Sequence, residues 1–393
     1  MFFEPSNQIQ DFLPADQFGG VNPSITDSST YSFRSPQTMK ELFEHDIEGC
    51  FLYSRHWNPI NKSLAQALAL MEGSEAAQVT ASGMAAISGA LLQLCEGGDE
   101  IISGRTIYGG SYAFFKNFLP RLGICTRFVN LQDLATVEAA ITERTKVIYC
   151  ESVSNPLLEI ANIPALSQIA NRHGLALMVD NTFSPMILSP IQLGAHLVVH
   201  SLTKFINGSS DCVAGVVCGS QAFINRFTDV NAGASMLLGP VLDSFRSAGI
   251  LKNLHTLHIR MAQHSRNALY LATRLQEMGV RVFYPGLASH PQHSLMVAMM
   301  NNGYGFGGMM AIDTGREEAA NELMGKLQAA KVGHLAVSLG YFKTLFSSPG
   351  NSTSSEIPLE EREAMGLSNG LIRLSVGLDH DIDRTFERIA SCL

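Results

Sequence analysis

Cysteine is scarce and badly placed for crosslinking. There are seven in 393 residues (Cys50, Cys95, Cys125, Cys150, Cys212, Cys218 and Cys392), an odd number, thinly spread and partly set in apolar runs such as Val147-Ile-Tyr-Cys150. A disulfide framework is therefore not expected, and a reducing compartment is. No dense run of Lys or Arg occurs, and 27 basic against 35 acidic residues leave a formal charge of −8. Nothing draws the chain as a whole to nucleic acid or to an anionic lipid surface. No uncharged apolar run reaches the roughly 18 residues that a membrane helix needs. The opening Met1-Phe-Phe-Glu-Pro5 has neither the basic nor the apolar part of a secretory signal, so a cytoplasmic location is expected. Glycine and proline, at 34 and 15, stand near average usage, which excludes collagen-like and proline-rich disordered architectures. No internal repeat or long low-complexity tract is visible.

What is present is a globular composition, 46% hydrophobic and 16% charged, in a length that allows two or three domains. Residues 1–60 read as an irregular arm: Gly19-Gly20, Asn22-Pro23, a Ser/Thr-rich stretch over 24–32, and Asn58-Pro59. With few long apolar runs it can hardly stay ordered alone, so it is expected to lie against something else, a neighbouring subunit. From about 61 the pattern alternates. Helices are expected over 63–72, 84–94, 134–141 and 163–172, and short strands over 100–102, 126–131, 146–150, 175–179 and 197–199. That alternation argues for a mostly parallel α/β sheet. Beyond Cys218 the texture is helical to about 278. The last third, with strands over 281–284, 309–312 and 371–376, reads as a smaller α+β domain. The expected division is an arm over 1–60, an α/β domain over 61–250 and an α+β domain over 251–393.

The chemistry-bearing residues begin with Leu177-Met-Val-Asp180-Asn-Thr-Phe and His200-Ser201-Leu-Thr203-Lys204. Each follows a short apolar strand. Asp180 and Lys204 are thus expected at the carboxyl ends of neighbouring parallel strands, where open α/β sheets bind ligands. An ion pair would account for any single Asp and Lys, but not for hydroxyls at Ser201 and Thr203 flanking the amine. A pyridoxal phosphate (PLP) site needs these parts: an amine to bond the aldehyde, an acid to keep the ring nitrogen protonated, and hydroxyls or amides for the phosphate. Ser82-Gly83-Met84, just ahead of a helical run, adds a helix N-terminus of the kind that receives anions. Alone it would be an ordinary cap.

A longer series of motifs then falls in order: Tyr53-Ser-Arg55-His-Trp-Asn58-Pro59, Ser82-Gly83-Met84, Tyr108-Gly-Gly, Glu151-Ser-Val-Ser-Asn155-Pro156, Val179-Asp180-Asn-Thr, His200-Ser201-Leu-Thr203-Lys204 and Arg373-Leu-Ser-Val-Gly377. Over roughly 18–390 this series resembles the Cys/Met-metabolism family of PLP enzymes. The resemblance implies the aspartate-aminotransferase-like fold (PLP fold type I) and a homotetramer of two tight dimers with shared active sites. Position by position it implies Lys204 as the cofactor-bearing lysine and proton shuttle, Asp180 on the pyridine nitrogen, and Tyr108 stacked on the ring as acid and base. It implies that Ser82, Gly83, Met84, Ser201 and Thr203 hold the phosphate, with Tyr53 and Arg55 reaching across from the neighbouring subunit. Arg373 would clamp the substrate carboxylate, a task suited to its planar fork, with Asn155, Ser338 and Val337 nearby.

Within the family, substrates with a second amino-acid head need charged partners in the outer pocket, because an unpaired desolvated ion is costly. In cystathionine γ-lyases a Glu precedes the Ser of the Ser-Leu-Gly motif and an Arg lies shortly after the stacking Tyr. Here Val337 precedes Ser338 and Ala113 follows Tyr108. The segments Leu237-Leu-Gly-Pro240, Tyr284-Pro-Gly-Leu287, His290-Pro-Gln-His293, Ser338-Leu-Gly-Tyr341 and Ser352-Thr-Ser-Ser-Glu356 resemble the plant-type methionine γ-lyase branch. That implies α,γ-elimination of a small thioether amino acid to methanethiol, 2-oxobutyrate and ammonia. Cystathionine γ-lyases and γ-replacement synthases are the alternatives. Bacterial members of the branch carry a Cys two residues after the stacking Tyr and a Lys-Asp pair at the pocket edge; here those positions are Gly110 and Ala232-Gly233. Gly303-Tyr-Gly-Phe-Gly-Gly308 formally fits a dinucleotide fingerprint but leads into a strand-like Met309-Met-Ala-Ile. The pairs His255/His258 and His290/His293 lack partners at metal-binding offsets.

Overall fold

A computed structural model of the chain describes residues 3–14, 16–44, 47–352 and 358–393. The motif residues 353–356 lie outside these. Seven strands build the first sheet: β1 (Ala76–Thr80), β2 (Glu100–Gly104), β3 (Cys125–Val129), β4 (Thr145–Glu151), β5 (Ala176–Asp180), β6 (Leu197–Ser201) and β7 (Gly215–Gly219), in the order β1-β7-β6-β5-β4-β2-β3. The five strands from β3 to β6 run parallel, and β7 is antiparallel to both of its neighbours. The fold is thus α/β with a mostly parallel sheet.

Side chains alternate across a strand, so a sheet covered on both faces must be apolar at successive positions. Ile102, Ile148, Cys150, Leu177, Val179, Val198 and Val216 enter one core, and their neighbours Ile101, Val147, Tyr149, Met178, Val199 and Val217 enter another. Helix α3 (Pro59–Glu72), capped by Asn58 with Pro59 in its first turn, covers the first face, and α4 (Gly83–Leu94) covers the second. The second sheet, β8 (Arg281–Phe283), β9 (Met309–Asp313), β10 (Gly333–Leu335), β11 (Thr344–Ser347) and β12 (Leu371–Ser375), has the order β10-β11-β12-β9-β8. Its core holds Met310, Ile312, Ile372 and Leu374 with Leu271 and Leu275 of the Leu257–Glu277 helix.

Several expectations shift by a residue or two at element ends, where hydrogen-bonding caps rather than hydrophobic period set the limit. Four strands, β1, β7, β10 and β11, lack an alternating or β-branched signature long enough to read. The arm contains two short helices, α1 (Pro5–Gln10) and α2 (Pro36–Leu42). Near its start the arm touches its own chain: Pro5 is buried, Ile9 and Phe12 pack against the first core, and Tyr304 donates a hydrogen bond to Glu4. Further along, Leu13, Phe18, Val21 and Phe43 are exposed. All seven cysteines are unpaired. The glycine run 303–308 leads directly into β9, and His293 is stacked on Phe306 with its Nδ1 2.8 Å from the Pro285 carbonyl. Among the described residues no helix is long and apolar enough to cross a membrane.

Candidate active site

The carboxyl ends of β4, β5 and β6 meet the edge of the second sheet around a cavity of about 450 Å³. It is lined by Ser82, Gly83, Met84, Tyr108, Asn155, Asp180, Ser201, Thr203, Lys204, Val337, Ser338 and Arg373, together with Glu151, Val153, Thr182, Phe183, Val213 and Leu339. Every site residue expected from the sequence is in that lining except Tyr53 and Arg55. Those two sit on the arm, with the Arg55 guanidinium over the Tyr53 ring and donating to the Met236 carbonyl at 2.9 Å. A larger cavity of about 900 Å³ lies between the arm and α3, lined by Phe12, Phe43, Trp57 and others. Its lining also holds an amine, acids and hydroxyls (Lys62, Glu75, Asp229, Ser74, Thr228) but none of the site residues expected from the sequence, and size alone does not make a site.

Asp180 ends β5 and Lys204 stands three residues past β6, so pairing of the two strands fixes carboxyl and amine on one rim. The Thr182 amide and hydroxyl both donate to Asp180 Oδ1, at 3.0 and 2.5 Å, while the Tyr149 hydroxyl is 3.5 Å from Oδ2. Burial raises the pKa of Asp180, and the Thr182 hydrogen bonds and His200 act against that rise. Lys204 Nζ donates to Ser338 Oγ at 2.9 Å. Burial, helped by the Arg373 charge, lowers its pKa to about 8. The segment carrying Ser338 is held close. Gly340, at φ +80°, approaches the Lys204–Phe205 backbone so tightly that a Cβ there would lie 2.5 Å from Phe205 N. Ser338 itself has φ 101°, a strained conformation for a residue with a side chain and one that structures keep where the surroundings demand it.

Arg373, in the middle of β12 and buried, donates to Asn155 Oδ1 at 3.1 Å and to the Ser338 carbonyl at 3.3 Å. Burial lowers its pKa to about 10, which leaves it cationic at neutral pH. Tyr108 precedes α5 (Gly109–Ala113) and is 40% exposed. Its amide donates to Glu151 Oε1 at 2.7 Å, and the Asn155 amide donates to Glu151 Oε2 at 2.8 Å. At the other end, Ser82 caps α4: its hydroxyl accepts from the Ala85 amide and its carbonyl from the Ala86 amide. The Gly83 and Met84 amides precede the first helical hydrogen bond, so they are available at the cavity wall. Thr203 Oγ1 accepts from the Ala214 amide at 3.0 Å and donates to its carbonyl at 3.3 Å.

The donor set fits PLP. Two helix-start amides and the Ser201 hydroxyl make an anion end. A buried acid with one oxygen anchored by Thr182 suits a ring nitrogen, and a buried amine of lowered pKa suits an aldehyde. Sequence reasoning missed Glu151, Thr182, Phe183 and Val213 as lining residues. The first two stood inside recognised motifs without a task. The last two carried no signal, since apolar residues reach a cavity only through the path of the chain.

A family model described as Cys/Met metabolism PLP-dependent enzyme matches residues 7–387. The chain is 46% identical to a methionine gamma-lyase of Arabidopsis thaliana over 92% of its own length and 83% of that protein. It is 39% identical to an L-methionine gamma-lyase of Pseudomonas putida, over 94% of this chain and 92% of the relative. A crystal structure of a putative O-acetylhomoserine (thiol)-lyase of Campylobacter jejuni, which carries an N'-pyridoxyl-lysine-5'-monophosphate, superposes with a TM-score of 0.92 over 99% of both chains at 27% identity.

Proposed function

The chain belongs to the Cys/Met-metabolism PLP-dependent enzymes, and we propose that within this family it eliminates the γ-substituent of L-methionine and related thioether amino acids. Water is consumed, and methanethiol, 2-oxobutyrate and ammonia are released. The observation that carries this reading is the outer wall of the cavity. Among the described lining residues the charged side chains are Glu151, Asp180, Lys204 and Arg373, all set deep, whereas the mouth carries Val337 and Val213, each about 60% exposed. A distal amino-acid head would meet no counter-ion there among the described residues, and a methyl thioether needs none.

Bound PLP supplies an electron sink for negative charge at the substrate carbons. The chain's residues then have distinct tasks. Gly83 and Met84 amides with Ser82, Ser201 and Thr203 hold the phosphate, and Asp180 faces the ring nitrogen, where its charge favours protonation. Arg373 takes the substrate carboxylate as a bidentate pair, with Asn155 and the Ser338 segment fixing its fork. Lys204 Nζ removes the proton from Cα and next assists loss of a proton from Cβ. With a pKa of about 8, about a tenth of such an amine is neutral at pH 7, several hundred times more than at the ordinary lysine value. Tyr108, whose ring lies over the cavity, delivers a proton to the departing sulfur.

The same reading includes a homotetramer in which Tyr53 and Arg55 complete the phosphate site of a neighbouring subunit. It is supported by their position on the arm, outside their own cavity, and by the exposed apolar residues Leu13, Phe18, Val21, Leu237 and Leu238. It also keeps the three-part division of the chain. The second break moves from 250 to the junction after Leu254, because residue 250 lies inside the Ser244–Leu254 helix packed on α3; proteolytic nicking inside either sheet instead would count against this division.

The γ-replacement alternative has the Campylobacter structure in its favour. Separate feeding decides between them. L-methionine alone is expected to yield methanethiol and 2-oxobutyrate. Turnover only with an O-acylhomoserine plus a thiol would replace elimination by replacement.

A further inference from the structure

Glu151 is a buried carboxylate at the cavity wall to which the proposed reaction assigns nothing. It ends β4 directly beside Asp180, the two being register partners on parallel strands. Burial raises the pKa of both acids, and the Asp180 charge raises that of Glu151 further, an arrangement that costs stability and calls for compensation. The simplest compensation would be an ion pair with Arg373. Yet no hydrogen bond joins the two, and both Glu151 oxygens are instead taken by main-chain amides, those of Tyr108 and Asn155.

These two amides belong to the loops that follow β2 and β4, and both residues line the cavity. The Asn155 side chain receives Arg373, Arg373 reaches the Ser338 carbonyl, and Ser338 receives Lys204. A continuous hydrogen-bonded line therefore runs from the Tyr108 backbone through Glu151 to the carboxylate clamp and the amine. We propose that Glu151 is a positioning residue that sets the separation between the proton donor at the leaving group, Tyr108, and the substrate clamp, Arg373. This rests on the functional reading above only for the tasks given to those two residues. The tie itself is geometric: one rigid carboxylate at a strand end offers two acceptors to two loops. Gln offers one acceptor and turns a donor toward the other amide, so it cannot hold both loops, and each loses the partner that steadied it.

The test compares wild-type and Glu151→Gln holoenzyme by hydrogen–deuterium exchange of the peptides containing the Tyr108 and Asn155 amides, alongside kcat and KM for L-methionine. The expected result is faster exchange in both segments, at least a tenfold rise in KM together with a lower kcat, and retained cofactor absorbance. Unchanged exchange in both segments, or wild-type kcat and KM, overturns the proposal. If Glu151→Gln does not fold, wild-type exchange decides: the Tyr108 and Asn155 amides must be protected, and rapid exchange at either overturns it. Increased exchange in both segments of a protein that never acted on methionine would leave the tie standing and remove the methionine reading instead.

Discussion

Burial acts in opposite senses on the two groups that face each other across the cavity, raising the pKa of the Asp180 carboxyl and lowering that of the Lys204 amine. Thr182 keeps Asp180 within reach of its charged form, and Ser338 gives Lys204 a neutral hydroxyl rather than a carboxylate as partner. A salt bridge would have stabilised the ammonium and spoiled the base. Gly110 matters for the same site. A Cβ at that position would lie 2.5 Å from Tyr108 Cε1, so in this chain, unlike the bacterial members with Cys there, a side chain requires the ring to shift. Gly110→Ala improves the intrinsic helix propensity of α5 by about 1 kcal/mol, so thermal stability should hold or rise. Turnover should nevertheless fall about tenfold or more through misplacement of the proton donor, while the cofactor stays bound. Steady-state kinetics beside a melting curve check this, and unchanged turnover would mean that the ring position is irrelevant. Lys204 and Asp180 were legible in the sequence because their motifs put a reactive group just past or at a strand end, whereas Tyr108 and Arg373 came from the family resemblance. Glu151 was not legible: its task depends on which two amides the fold brings to it, and no spacing encodes that.

At the scale of elements, the rim is supported from behind by a buried polar group joining α3 to the sheet. His200 Nε2 lies 2.6 Å from Glu72 Oε1, and Asn181 Nδ2 donates to the same oxygen at 3.3 Å. The Ser152 and Ser184 hydroxyls both donate to Asn181 Oδ1 at 2.8 Å. His200 lies on β6 and Asn181 directly follows Asp180, so this network fixes the strand ends that present Lys204 and Asp180. Replacing His200 with Ala strands Glu72 in the interior, a change expected to cost about 3–5 kcal/mol of stability. Urea unfolding measures it; a loss under about 1 kcal/mol would show that the pair contributes no more than a surface one. Most strands and the main helices were readable from apolar runs and caps. The strands that escaped, β1, β7, β10 and β11, are short or weakly β-branched and exist because neighbouring strands present free edges. Periodicity in a single chain segment does not report that.

At the scale of the whole molecule, the phosphate end of the cavity contains no Arg or Lys of its own chain besides Lys204, while Arg55 sits exposed on the arm. The proposed pairing of subunits would account for both. Variants Lys204→Ala and Arg55→Ala, each nearly inactive alone, should therefore regain activity when unfolded together and reassembled. Random pairing restores one intact site in each mixed dimer, about a quarter of all sites. No recovery would place each site within a single chain. The sequence indicated an arm but not that Ile9 and Phe12 pack on their own chain, because they find these partners only after α3 and the first core have formed. The account as a whole depends on the Lys204 amine carrying the cofactor, and chemical trapping tests this most directly. Holoenzyme treated with borohydride and digested should yield one pyridoxyl-modified peptide, containing Lys204. A modification on another lysine, or none in protein incubated with PLP, would contradict it.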